Sequence, residues 1–147
     1  MPRQRFLRSV RLLAQCYQAF ERLSGRHVRA LGLTPAQFDV LATLGNQQAM
    51  SFRELGRLTL ITKGTLTGVV ARLEQRGLVE RSANESDRRS SLVRLTEAGN
   101  AMFAEVFAEH VAYCARAFAT WRPGEFDALE RQLLRLRAAL EPGEQQP

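Results

Sequence analysis

Three hydroxyl residues, Thr34, Ser51 and Thr62, each stand directly before a short run of residues with helical spacing. Thr34 and Ser51 have a Gln or a Glu three positions later, which is the partner that completes a capping box. Thr62 gives a third, less complete start, and Gly77 supplies the C-terminal cap of the helix that follows. The helices predicted from these signals span residues 35–45, 52–58 and 63–76.

The spacing of apolar residues changes from helical to alternating after Gly77. Residues 78–82 and 91–95 alternate between apolar and polar side chains, and they flank a polar stretch at 84–89. We predict a two-stranded wing over residues 78–95. A short helix, a turn, a second helix and a basic hairpin, in that order, indicate a winged helix-turn-helix within residues 33–95. The predicted fold class is therefore mainly α with a small β-wing.

The second helix of this motif, the recognition helix 63–76, is predicted to have one apolar face and one small, polar face. The apolar face, expected to point to the core, consists of Leu66, Val69, Val70 and Leu73. The opposite face consists of Gly64, Thr67, Gly68, Ala71, Arg72 and Gln75, with Lys63 and Thr65 at its flanks. Small residues let a helix backbone approach base edges, while threonine and lysine supply hydrogen bonds, so this face suits a DNA major groove.

The predicted wing has Asp87, Arg88 and Arg89 near its tip. An arginine at a hairpin tip can enter a narrow minor groove, where the negative potential is enhanced, and Asp87 is expected to orient it. The alternative is that these are ordinary solvated loop charges. Their position directly after a capped helix pair favours DNA binding.

Long helices are predicted at both ends of the chain, over residues 4–31 and 97–141, the second of them broken near residues 122–124. Their apolar stripes could pack inside one chain or between two subunits, and helices this long in so small a chain favour subunit pairing. We expect a single domain over residues 1–147, in which these segments mainly dimerise and residues 142–147 form a flexible tail.

The net charge of +6 is concentrated toward the amino terminus. Residues 1–31 carry +6 and residues 51–95 carry +4, whereas residues 96–147 carry −3. A basic surface of this kind makes double-stranded DNA the first partner to consider.

Three segments of the chain resemble signature segments of the MarR family of transcription regulators. They read LTPAQFDVLATL at 33–44, ELGRLTLITKGTLTGVVARLEQRGLVER at 54–81 and DRRSSLVRLTEAG at 87–99. The resemblance implies a homodimer on a pseudo-palindromic operator. It places Lys63, Thr65 and Thr67 in the major groove, Arg89 in the minor groove and Arg72 near the backbone. Repression, relieved by a small aromatic or phenolic effector, is also implied, although no residue pattern identifies that effector.

The cysteines and histidines raise two alternative kinds of regulation, a thiol switch and a metal switch. Cys16 and Cys114 could sense oxidants, but the first lies out of register with the sensing cysteine of MarR-like proteins, so buried inert thiols are favoured. His110 and Cys114 have metal-ligand spacing on one helix face, yet two ligands are too few, and a packed pair is favoured. We expect no metal and no cofactor.

Other classes of protein fit the sequence poorly. It has no phosphate-binding glycine loop, nucleophile elbow or paired carboxylates in a recognisable frame, so we expect no enzyme. No apolar run approaches the roughly 18 residues of a membrane span, and the few cysteines favour the cytoplasm. A helical protein-interaction module that has lost sequence-specific DNA binding is the competing hypothesis.

Overall fold

The computed structural model describes residues 4–141 and 143, so the predicted tail at 142–147 lies outside the described residues except for Gly143. The chain divides into two compact units, with the boundary after Cys114. The single domain expected over residues 1–147 stays a prediction.

The helices and strands follow the predicted order, and most boundaries agree within two residues. The first unit contains α1 (Arg5–Ala30), α2 (Pro35–Leu44), β1 (Met50–Ser51), α3 (Phe52–Leu58), α4 (Lys63–Gln75), β2 (Val79–Ala83), β3 (Ser91–Leu95) and α5 (Glu97–Ala115), whose last residue lies across the boundary. The second unit contains a 3-10 turn (Arg116–Phe118) and α6 (Pro123–Leu140). Among the described helices, none combines the length and the apolar character that crossing a membrane requires.

The wing is part of a three-stranded antiparallel sheet with the order β1-β3-β2. Strands β2 and β3 pair from Val79 opposite Leu95 to Ala83 opposite Ser91, which confirms the predicted hairpin. The third strand, β1, was not predicted. It has only two residues, too few to show an alternating pattern, and its Ser51 also caps α3.

Both predicted capping boxes are present. The Gln37 amide donates to the Thr34 hydroxyl at 3.2 Å, and the Thr34 amide donates back to the Gln37 side chain at 3.1 Å. Ser51 forms the same pair of bonds with its Glu partner. The third cap is different, because the Thr62 hydroxyl donates to the Thr65 hydroxyl at 3.0 Å and makes no capping bond to the backbone. Helix α4 therefore starts where predicted, without a side-chain cap.

The core lies between α2, α4 and the sheet. Helix α4 contributes all four residues predicted for its apolar face, Leu66, Val69, Val70 and Leu73, each at most 8% exposed. Packed around them are Val40, Leu41 and Leu44 of α2, Val79, Val93 and Leu95 of the sheet, Val28 of α1 and Val106 of α5. The orientation of the recognition helix is thus fixed by the burial of one entire face.

Helix α1 leaves its first part uncovered within one chain. All residues from Arg5 to Arg22 are exposed, including apolar residues such as Phe6 (61%) and Tyr17 (48%). Cys16 is exposed as well, so the expectation of a buried thiol at this position is wrong for the single chain. The reason is that only the last two turns of α1 reach the core.

Helix α5 is shorter than predicted. A helix of about 25 residues was expected to continue to Trp121, but the α-helix ends at Ala115 and a 3-10 turn follows. In the second unit, Phe118, Trp121 and Phe126 form an aromatic cluster with ring centroids 5.2–5.8 Å apart. Phe118 and Trp121 therefore pack against the start of α6, whose own residues are all at least partly exposed.

Gly99 lets the first turn of α5 contact the chain after α4. A Cβ atom at this position would collide with the Leu78 carbonyl oxygen, which is backbone and cannot rotate away. We expect Gly99→Ala to lower the free energy of unfolding by about 1–3 kcal/mol, the usual cost of overpacking, as measured by urea denaturation at fixed protein concentration. Gly56→Ala, where the added atom makes an ordinary 3.6 Å contact, is the control. Equal stability of the two variants would contradict the close contact.

Candidate nucleic-acid interface

The face of α4 opposite the core is exposed and small. Lys63, Thr65, Thr67, Gly68 and Arg72, the predicted DNA-binding residues of this helix, are all exposed. At Gly64 and Gly68 nothing lies within 4 Å of where a Cβ atom would stand. The backbone of the helix is therefore accessible along this face, as close approach to base edges requires.

The turn before α4 is fixed by two hydrogen bonds, one buried and one exposed. The Thr59 hydroxyl is buried and donates to the Leu55 carbonyl at 2.7 Å. The Leu60 amide donates to the Asp39 carboxylate at 3.4 Å, which ties the turn to α2. Burial raises the pKa of Asp39, and the hydrogen bond from Leu60 opposes part of that rise.

The end of α4 is also tied to the preceding part of the chain. Arg76 donates to the Gly32 carbonyl at 3.1 Å and to the Gln37 side chain at 3.2 Å. Gly77 has a φ of +74°, and the Leu78 amide returns to the Leu73 carbonyl at 3.0 Å, which ends the helix in a Schellman motif. With both ends held, the exposed face of α4 has a defined direction.

The wing tip is ordered by two short polar side chains. The Asp87 carboxylate accepts from the Arg89 amide at 3.0 Å, and the Asn84 side chain accepts from the Ser86 amide at 3.1 Å. Asp87 thus orients Arg89 through the backbone, and the tip follows the local hydrogen-bonding pattern of Asx turns. Asp87, Arg88 and Arg89 are all exposed.

Ion pairs divide the cations of this surface into two groups. Arg94 pairs with Glu80 across the two strands of the wing, and Arg81 lies 3.6 Å from the Glu74 carboxylate. Lys63, Arg72, Arg88 and Arg89 have no ion-pair partner within residues 4–141. These four predicted site residues are therefore available to bind an external anion.

An open groove of about 800 Å³ lies between α3, the start of α4 and the wing. It brings together three predicted site residues, Lys63, Thr67 and Arg89, from two elements. The full lining is Phe52, Arg53, Gly56, Ile61, Lys63, Leu66, Thr67, Arg81, Arg89, Ser90 and Ser91. The other predicted residues, Thr65, Gly68, Arg72, Asp87 and Arg88, are exposed on α4 or the wing outside this lining.

Two arginines of the groove, Arg53 and Arg81, were not selected from the sequence. Arg53 lies in the first turn of α3, and Arg81 is in the middle of β2. The available signal was weak, because each is one of 20 arginines in the chain. Their positions relative to Lys63 and Arg89 depend on how the helices and the wing pack, which local sequence patterns do not encode.

The alternative metal site considered at His110 and Cys114 contains a buried histidine. His110 is 5% exposed, its Nδ1 lies 2.9 Å from Nδ1 of His27, and its Nε2 lies 3.5 Å from the Cys114 sulfur. Burial, followed by the charge of His27, lowers the pKa of His110, and burial raises the pKa of Cys114. His110 and Cys114 thus form the packed pair favoured by the sequence. No group of three or more potential metal ligands occurs among the described residues.

Comparison with known proteins identifies the family to which this chain belongs. The family model "MarR family" matches residues 33–91, which include α2, α3, α4, β2 and the loop of the wing and end at the first residue of β3. The transcriptional repressor NicR from Pseudomonas putida is 32% identical over 120 residues, which cover 82% of this chain and 73% of NicR.

Solved structures extend the comparison to most of the chain. BpsR from Bordetella bronchiseptica, whose DNA binding is regulated by 6-hydroxynicotinic acid, is 31% identical with a TM-score of 0.78, covering 88% of this chain and 98% of BpsR. A Cys-to-Ser variant of MarR from E. coli, in complex with operator DNA, is 28% identical with a TM-score of 0.78, covering 90% of this chain and 96% of that one. The shared architecture is that of winged-helix transcription regulators.

Proposed function

Because the chain belongs to the MarR family of DNA-binding transcription regulators, whose members are not enzymes, we propose that it is a homodimeric repressor of a pseudo-palindromic operator. The observation that carries this proposal is the groove between α3, α4 and the wing. There the small, polar face of the recognition helix adjoins Arg89, an unpaired cation of the wing.

We assign base recognition to the amino-terminal half of α4. Lys63 donates to guanine or to a phosphate, and Thr67 can donate, accept or contact a thymine methyl group. The Thr65 hydroxyl accepts a bond from Thr62, so its own proton remains available for an acceptor on the DNA. Gly68 supplies the space that lets the backbone come close.

The wing and the second half of α4 supply electrostatic contacts in this proposal. Arg89, positioned through its amide by Asp87, enters the minor groove, where a narrow groove concentrates negative potential. Arg88 at the wing tip and Arg72 on α4 contact the sugar–phosphate backbone. These contacts add affinity that falls with salt concentration, and the backbone contacts carry no sequence information directly.

Dimerisation is supported by apolar surface that one chain leaves exposed. The stripe along α1 consists of Phe6, Val10, Leu13, Tyr17 and Phe20, each between 37% and 61% exposed. In α6, Leu129 and Leu133 are about two-fifths exposed. A monomer that left this much apolar surface to water would be unusual, and a second copy is the partner that a two-fold operator requires.

An effector would act by changing the distance between the two recognition helices. The regulation of BpsR by 6-hydroxynicotinic acid supports a small aromatic or phenolic compound as the class to test. Such a ligand releases the operator only if it binds the two arrangements of the dimer unequally.

Two alanine substitutions test the assigned DNA contacts. We expect Arg89→Ala and Lys63→Ala each to weaken operator binding by about 1–3 kcal/mol while leaving the oligomeric state unchanged, as measured by fluorescence anisotropy and analytical ultracentrifugation. Comparing operator with scrambled DNA shows whether Lys63 contacts bases or only phosphate, since a phosphate contact weakens both equally.

Arg57→Ala is the matched control for both variants. Arg57 is exposed at the end of α3 and does not line the groove, and its loss changes the net charge equally. If Arg89→Ala bound the operator as tightly as Arg57→Ala, the wing would have no place in the interface.

A further inference from the structure

The wall of the groove between α3 and the wing carries two cations that the proposed recognition scheme does not use. Arg53 reaches the groove from the first turn of α3, and Arg81 reaches it from β2. Together with Lys63 and Arg89 they make four cations among eleven lining residues, and none of the eleven is acidic. We call this surface, lined by the eleven residues given above, the basic groove.

Arg81 is held in place by two neighbours. Its guanidinium carbon lies 5.4 Å from the centre of the Phe52 ring, within the range of a cation–π contact. Its Nε lies 3.6 Å from the Glu74 carboxylate, and both side chains are partly exposed, so this ion pair is weak and can be exchanged for a stronger anion. Stacking leaves the donors at the guanidinium edge available for such an anion.

Arg53 has no ion-pair partner among the described residues. Its neighbour Glu54 is engaged with the Ser51 amide in the capping box, at 3.2 Å. The guanidinium of Arg53 is therefore a free cation beside the apolar residues Phe52 and Ile61 of the groove. A low-polarity surface next to a cation strengthens its attraction for an anion.

The position of the basic groove identifies the anion. In B-DNA a sugar–phosphate backbone separates the major groove from the adjacent minor groove. A protein that places Lys63 of α4 in the major groove and Arg89 of the wing in the minor groove must span that backbone. The basic groove is the surface between these two residues. Its cations are also spread over three elements, as suits an extended polyanion better than a small ion.

We propose that the basic groove seats the sugar–phosphate backbone of one DNA strand and that Arg53 and Arg81 bind its phosphates. This inference rests on the proposed function, because it assumes that α4 and the wing enter neighbouring grooves. The two arginines set the register of the recognition helix on the DNA without reading bases.

The first test uses Arg53→Ala with full-length protein and DNA duplexes, one carrying the selected operator and one scrambled. We expect about tenfold weaker binding to both duplexes. The slope of log K against log salt should become shallower by about 0.9 for each phosphate that the variant no longer neutralises. Arg57→Ala, on the same helix but outside the groove, should keep the wild-type affinity and slope.

The second test releases Arg81 without removing it. Glu74→Gln removes the competing carboxylate, so binding to both duplexes should tighten by a few fold. In an Arg81→Gln background the same substitution should give no such gain, because the arginine is absent. This comparison remains informative even if Arg81→Gln alone lowers stability, because the effect of Glu74→Gln is measured separately with Arg81 and with Gln at position 81.

The outcomes separate this inference from the proposed function. If Arg53→Ala matches Arg57→Ala in affinity and salt slope, while Lys63→Ala and Arg89→Ala still weaken binding, the basic groove does not hold the backbone. A gain from Glu74→Gln that persists without Arg81 would overturn the assignment of Arg81. The proposed function itself is wrong if DNA binding is unchanged in all four test variants, which are Arg53→Ala, Lys63→Ala, Arg89→Ala and Glu74→Gln.

Discussion

Gly68→Glu should abolish operator binding while leaving the folded protein at least as stable as the wild type. The position lies in the middle of α4, exposed, with nothing within 4 Å of where a side chain would begin. The substitution therefore meets no obstacle inside the chain. In the proposed complex, however, the new carboxylate would stand against bases and phosphates.

Two effects of this substitution act in opposite directions. Glycine inside a helix costs about 1 kcal/mol relative to good helix formers, so its replacement stabilises α4. A negative charge placed against DNA costs several kcal/mol, and about 4 kcal/mol corresponds to a thousandfold loss of affinity. We therefore expect a higher midpoint of urea unfolding together with binding weaker by about three orders of magnitude.

Gly124→Glu is the control for charge. It introduces the same side chain into another helix at a position that is also open, in the first turn of α6. Gly68→Ala gives the smaller steric part of the effect without the charge. Operator binding by Gly68→Glu within a few fold of the Gly124→Glu value would exclude α4 from the interface.

Leu13→Glu should convert the proposed dimer into a monomer and thereby strongly weaken operator binding. Leu13 lies in the exposed apolar stripe of α1, and every described residue of this chain before Leu23 is exposed. In the proposed dimer the substitution would bury a carboxylate without a partner, at a cost of several kcal/mol. A monomer has only one recognition helix, so the gain from binding two half-sites together disappears.

The measurement combines sedimentation equilibrium with operator titration. Gln15→Glu is the matched control, because it adds one negative charge to the exposed opposite side of the same helix. We expect that variant to remain dimeric and to bind nearly normally, and Leu13→Glu to lose about a thousandfold in affinity. A dimeric Leu13→Glu with normal binding would show that the stripe on α1 does not form the interface.

The features predicted correctly from the sequence are those that neighbouring residues determine. The capping boxes at Thr34 and Ser51 need only residues three positions apart, and the buried face of α4 follows from helical spacing. The hairpin of β2 and β3 was also predicted because alternation and a polar turn lie next to each other in the chain.

The features that were missed depend on contacts between distant segments. Strand β1 exists because Met50 and Ser51 meet Val93 and Leu92, more than 40 positions away. The exposure of Cys16 follows from where α1 leaves the core, which its amphipathic pattern does not reveal. Helix α5 ends at Ala115 although the apolar spacing continues, and Phe118 beyond it packs with Trp121 and Phe126 within the second unit.

Only part of the candidate site could be predicted from the sequence, because the rest depends on contacts between distant segments. Lys63 and Thr67 belong to a helix whose exposed face can be derived from its buried face, and Arg89 belongs to a recognisable hairpin. Arg53 and Arg81 reach the basic groove only through the packing of α3 and β2 around α4. Among 20 arginines, their selection required the three-dimensional structure.

Selection of bound sequences from a random DNA library, followed by titration of the selected duplex at several salt concentrations, tests whether this chain recognises an operator sequence as a dimer. We expect an inverted repeat with half-sites about one helical turn apart, and an affinity that stays well above that for scrambled DNA as salt rises. The absence of any motif, with binding that vanishes at moderate salt on every duplex, would contradict it and leave positive charge as the whole basis of DNA affinity.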